Sequence, residues 1–297
     1  MDWERTKTIF ILAFLMLNLV FSIQLWIIPN YFDSSMIVSH QQVEAKLTEL
    51  RYRNITVTAE VPRQLKRMRM LLLSSPEVDH KKAAMALLGP DAVHVATILS
   101  PAPGHRRYVS KQGEVQVYND GRILFISSPH LGKPALSASS ARSIADNFLK
   151  NSLGKPGDAR FGRVVEAEDG AWLIEYYQNW RRRDLETSKI TLLVDGSGVR
   201  QMDYYWVKVT GFTGEEVVSI PAAGALIVAA ERMPSGTVIT NIYSSWYSPP
   251  IMADIWRAPP VWVVETNRGT KYYINAFTGD LEGKEEFPAG KPEQTLN

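Results

Sequence analysis

Ser152-Leu153-Gly154-Lys155 is the one run in this chain whose residue types and spacing match a nucleophile motif, the S-x-x-K of penicillin-binding proteins. That chemistry needs the Ser at the start of a helix and the Lys one turn later on the same face. Here Gly154 and Pro156 place the tetrad at a helix end, and no K-T-G follows. The five histidines, His40, His80, His94, His105 and His130, stand singly, without metal-ligand spacing such as H-E-x-x-H. There is no G-x-S-x-G, Walker A or dinucleotide fingerprint, and no Asp/Glu pair stands apart from surface and turn positions. The residues therefore point away from catalysis and toward binding, with no cofactor and no metal expected.

Two basic runs, Arg63–Arg69 and Arg181-Arg182-Arg183, suit either an anionic partner or plain solvation, the latter at a hairpin tip. The segment Ser244–Pro260 holds Trp246, Tyr247 and Trp256 among several prolines. Aromatic side chains on a stiff backbone suit a protein contact surface, and equally a loop packed on its own domain. A net charge of +2 is too small to suggest nucleic acid.

The elements that must position these residues begin with a polar stub, residues 1–8, and an uncharged apolar run, 9–28. Twenty helical residues rise about 30 Å, the thickness of a bilayer core. Arg5 and Lys7 precede the run and no Lys or Arg follows until Lys46, an asymmetry that places the stub in the cytoplasm. The run ends without the small-x-small site of a cleaved signal peptide. The expectation is a single-pass cell-membrane protein with extracytoplasmic domains. Asn18, Ser22 and Leu25 share one helical face and are the expected contact with a partner helix. The alternative is that Asn18 bonds to its own backbone. With no cysteine, the exterior must rely on apolar cores.

Beyond the run, Val43, Leu47 and Leu50 at helical spacing predict a helix over 39–53, and the alternation of Ile55, Val57 and Ala59 a strand over 54–60. Further helices follow Asp79, Ser137 or Ser139, and Ser219. Each of these three is followed by strands joined by tight turns, hence antiparallel. The expected fold class is α+β: a transmembrane helix, then modules at 29–130, 131–212 and 213–297, each a helix on an antiparallel meander, the last with a flexible tail.

The opening Met1-Asp2-Trp3, Thr6-Lys7-Thr8-Ile9-Phe10-Ile11, Phe14-Leu15 and Leu17-Asn18 resembles the YycI (WalI) family of Gram-positive bacteria. The segment Tyr272–Asp280 also looks like the last hairpin of PepSY-like modules. The first resemblance implies a regulator without catalytic residues. Its implied partners are a YycH-like protein and the membrane histidine kinase WalK (YycG), which controls cell-wall metabolism. A wall- or peptide-binding module is the alternative, and a wall hydrolase or transferase a more remote one.

Overall fold

A computed structural model of the chain describes residues 3–22, 36–95, 104–128, 136–251 and 253–286. Helix α1 is Trp3–Ser22. Helix α2, His40–Tyr52, starts at a reciprocal capping box in which Ser39 and Gln42 each accept the other's backbone N–H. Asp79 caps α3, His80–Leu88, by accepting from Lys82 N, and Gly89 ends it at φ 81°. Ser137 caps α4, Ala138–Asn151. Helix α5, Ala222–Ala230, follows Pro221. Ser219 does not cap α5 as the sequence suggests; its hydroxyl accepts from Lys66 N instead.

The expected anchor is overturned. Among the described residues no helix is long and apolar enough to cross a membrane. The stub residues from Trp3 onward form the first turns of α1, and its described apolar part runs from Ile9 to Ser22. That stretch rises about 21 Å, short of the roughly 30 Å of a bilayer core. The rest of the apolar run, from Ile23 to Ile28, lies outside the described residues. A single-pass location in the cell membrane, with its external domains, loses its support with the helix.

The expected α+β series of separate modules is also corrected, because strands dominate and thirteen of them join in one sheet. Its strands are β1 Thr56–Val57, β3 Val93–Val95, β4 His105–Ser110, β5 Gly113–Tyr118, β6 Ile123–Ser127, β7 Ala159–Glu166, β8 Trp172–Trp180, β9 Arg183–Asp195, β10 Gly198–Tyr205, β12 Val238–Trp246, β14 Pro260–Thr266, β15 Thr270–Asn275 and β16 Leu281–Glu286. A smaller sheet holds β2 Arg67–Ser74 between β11 Lys208–Val218 and β13 Ile255–Ala258. The meanders fuse edge to edge: β6 pairs with β10, and β9 meets β12 at Leu185 and Trp246. Pairing hides strand edges that separate modules would leave open.

One irregularity makes this fusion possible. In the β8–β9 ladder, Tyr177 pairs with Lys189 but Gln178 pairs with Leu185, so Glu186, Thr187 and Ser188 bulge out of register. A bulge bends its strand and re-aims its side chains. Thr187 Oγ1 accepts from Ser248 N at 2.7 Å, and Ser188 Oγ accepts from Val207 N at 3.1 Å. These bonds tie the linkers of the small sheet to the large one.

Three apolar cores surround the junction. α3 and α4 lie over the β4–β10 region, burying Ala141, Ala145 and Leu149 against Ile174, Tyr176, Ile190 and Leu192. α2 and α5 cover β1, β12, β14 and β15, with Leu50, Leu226, Trp262 and Ile274 buried among them. The small sheet packs Leu71 and Leu73 against Leu185, Tyr205, Trp246 and Trp256. The apolar, all-round character of Ala222–Ala230 is met by burial of six of its residues. The stretch Val199–Val209, which reads as one strand, is divided at Trp206 and Val207 between two sheets.

Candidate protein-contact site

In α1, Asn18 Nδ2 donates to the Phe14 carbonyl at 2.9 Å. Ser22 is exposed at the helix end, and Leu25 lies outside the described residues. Around Asn18 the helix exposes its large side chains on every side: Ile9 is 67% exposed, Phe10 72%, Phe14 66% and Leu17 51%. This is a helical apolar surface without a cover among the described residues.

The three aromatic residues of the segment Ser244–Pro260 are placed differently. Trp246 and Trp256 are buried in the core of the small sheet, Trp246 donating from Nε1 to the Arg69 carbonyl at 2.8 Å. Tyr247 stacks on Tyr273, ring centroids 3.9 Å apart. A Cβ on Gly283 would come within 2.6 Å of the Tyr247 hydroxyl, so this close packing requires glycine there. The segment also contains β13, which the proline-rich sequence conceals.

Ser152 and Lys155 are both engaged within their own lobe. Ser152 Oγ donates to the Phe148 carbonyl at 2.7 Å. Lys155 Nζ reaches Asp146 at 2.7 Å and stands over the Tyr176 ring. No geometry joins the two.

The most unusual chemistry is one the sequence did not single out. Where the uncovered face of β7–β9 meets that of β12–β16, charged and phenolic groups fill the gap. Lys271 Nζ lies 3.1 Å from Glu186 and 3.1 Å from Glu265. It also donates to the hydroxyls of Tyr177, at 3.0 Å, and Tyr243, at 3.2 Å. Tyr273 donates to Glu285 at 2.7 Å. Glu175, wholly buried, pairs with Arg163 and accepts from Tyr177, with Lys189 Nζ at 4.0 Å from its other oxygen. Lys189 in turn pairs with Glu285.

Burial opposes charge on Lys271, but Glu186 and its neighbours outweigh it and hold the ammonium pKa well above its ordinary value. Burial likewise opposes ionisation of Glu175, and Lys189 and Arg163 reverse that, keeping its pKa low. Tyr177, Tyr243 and Tyr273 are pushed well up by burial and then by the carboxylates beside them. The layer thus holds fixed charges in matched pairs, which orients one half of the sheet on the other. Periodicity could not reveal it. The available signal was Lys271 and Glu265 interrupting the apolar β14–β15 hairpin.

No protein-family model matches the chain, and no curated protein does. Among solved structures, an uncharacterised protein from Eubacterium rectale, known from a crystal structure at 1.45 Å, is similar to it. The match covers 77% of this chain and 90% of that one, at 11% identity and a TM-score of 0.49. A likeness at that level leaves the function to be argued from the chain's own residues.

Proposed function

We propose that this chain is a non-enzymatic regulatory protein that binds a sensor histidine kinase and a YycH-like protein, as its resemblance to the YycI family implies. The observation that carries the reading is α1. Its opening sequence bears the resemblance, and the same helix presents contiguous exposed apolar side chains, a mark of interaction surfaces. Asn18 spends one N–H on its own helix and keeps Oδ1 and its second N–H for a partner. The reading does not need a membrane-spanning segment. It needs a partner helix that lies on this face.

Regulation follows from differential binding. A protein that binds one state of a two-state kinase better than the other shifts it toward that state by the difference in affinity.

The test is co-purification after crosslinking in cells, comparing the natural chain with Asn18→Leu and with Asn18→Leu/Ser22→Leu. Loss of one net hydrogen bond is worth about 1 kcal/mol, roughly fivefold in affinity. Recovery of the kinase should fall in the single variant and further in the double. Recovery unchanged in the double variant, at equal protein levels, would overturn the assignment of this face.

A further inference from the structure

The β8–β9 hairpin turns on Arg181 and Arg182, and both take positive φ, 49° and 65°. Trp180 pairs with Arg183 across them, so this is a two-residue hairpin loop with both central residues left-handed. Such loops are normally built from Asn-Gly or Asp-Gly. Two arginines in that conformation carry strain, and strain retained at an exposed turn points to a use.

Arg181 and Arg183 sit on an aromatic floor. Trp180, Phe212 and Trp246 lie edge-on or tilted to one another at centroid distances of 4.8–6.1 Å. The Arg181 guanidinium lies 4.9 Å from the Trp180 ring and 5.2 Å from Phe212, and that of Arg183 5.4 Å from Trp246. A fourth cation joins them. Lys66 Nζ donates to Ser244 Oγ at 3.0 Å, and Ser244 is two residues from Trp246, on the same side of β12.

Among the described residues none of these four cations lies within 4 Å of a carboxylate. The neighbouring Asp184 is already taken by Arg160 and by Asn179. Burial, and then the nearby Arg183, lowers the Lys66 pKa. Stacking on rings leaves a guanidinium's N–H edge free to form paired bonds to an oxyanion.

We infer that Lys66 and the Arg181–Arg183 turn, set on Trp180, Phe212 and Trp246, form a docking site for an acidic, carboxylate-bearing segment of a protein partner. Four cations without carboxylates define the charge of the occupant. The Trp and Arg composition is that of protein-contact hot spots. The inference rests on the reading of this chain as a protein-binding regulator and names the recognition chemistry of that binding.

The test is a titration of the purified full chain with a fluorescent ten-residue oligoglutamate, read by anisotropy, alongside inorganic polyphosphate. Saturable oligoglutamate binding that weakens as salt rises is expected. Arg181→Glu/Arg182→Glu should lower affinity at least tenfold, while Lys150→Glu, on the exposed face of α4, should change it less than twofold. Arg181→Asn/Arg182→Gly separates the site from the fold: the turn it installs is the relaxed one, so the melting temperature should rise by about 2–4 °C while binding is lost. Absence of oligoglutamate binding by the natural chain, or equal affinity in the Asn-Gly variant, would overturn the inference, as would binding of polyphosphate alone. Oligoglutamate binding together with failure to recover the kinase would remove the proposed function and leave this site standing.

Discussion

Lys271 and Arg183 are both basic residues set close to aromatic side chains, and their surroundings could hardly differ more. Lys271 is 3% exposed and meets two carboxylates and two phenols within 3.2 Å. Arg183 has a Trp ring and, among the described residues, no carboxylate partner. A buried charge persists only when it is paired and hydrogen-bonded, because desolvation otherwise drives it neutral. A guanidinium that is only half-buried, as Arg183 is, can still be solvated and keep its hydrogen-bonding edge free. The comparison teaches that matched cations here hold the architecture, while the unmatched ones are available to a partner.

The largest expected effect comes from breaking the match. Lys271→Met leaves Glu186 buried without its cation, which typically costs about 3–5 kcal/mol. Chemical denaturation should show that loss, and adding Glu186→Leu should recover much of it, since the uncompensated charge is then gone. A double variant as unstable as the single would mean that packing, and not charge, sets the value of this layer.

The same layer sets an alkaline limit. Lys271 and the three tyrosines hold their protons more tightly in the folded chain than at their ordinary values of 10.5 and 10.0. Their contribution is therefore full below about pH 10. It declines as pH rises, because the unfolded chain releases those protons first. Glu175 acts in the opposite sense, its contribution fading as pH falls below its ordinary 4.5. Melting temperatures measured from pH 8 to 11.5 should drop more steeply for the natural chain than for the Lys271→Met/Glu186→Leu variant. Parallel curves would break the assignment of the alkaline limit to this layer.

These two regions were not equally legible in the sequence. The helical spacing over 39–53, the cap Asp79, the Ser137-or-Ser139 cap and the Asn119-Asp120-Gly121 turn are local signals, and the elements they bound are where those signals put them. The apolar face of α4 was readable from spacing, and the burial of α5 from its being apolar all round. Long-range pairing was not: nothing near Glu186 in the sequence announces a bulge that lets β9 reach β12. β13 and β16 were hidden for physical reasons too, the first by flanking prolines and the second by its charged residues. The buried ionic layer reads as ordinary surface charge because its members sit singly on strands or, like Glu285, among other charged residues, as residues on an exposed strand face do. The Arg181–Arg183 tip was visible as a hairpin, but its aromatic floor comes from three separate strands. The apolar run at the amino end misled in a different way: α1 begins back at Trp3, so its described turns mix the polar stub with the run, and no described helix is long and apolar enough to cross a membrane.

The smallest expected effect is the one that most sharpens the comparison. Arg183→Ala removes a cation that no described carboxylate holds, so little stability should depend on it. Arg183 is half-buried over the buried Trp246 ring, and a cation–π contact of that kind, with the packing of the Arg stem, is worth about 1–2 kcal/mol. Denaturation of the variant should therefore lose no more than about 2 kcal/mol, clearly less than Lys271→Met. Lys66 gives an internal control, because Arg183 is one reason its pKa is low; removing Arg183 should let that pKa rise toward its ordinary 10.5. The shift is measurable by NMR titration of the Lys66 side chain in the folded protein. A large loss of stability with no change at Lys66 would show that Arg183 is a packing residue, and would erase the distinction between matched and unmatched cations. A small loss with a rise at Lys66 would mean that these two cations share one field, kept free of carboxylates, at the surface where an acidic partner would dock.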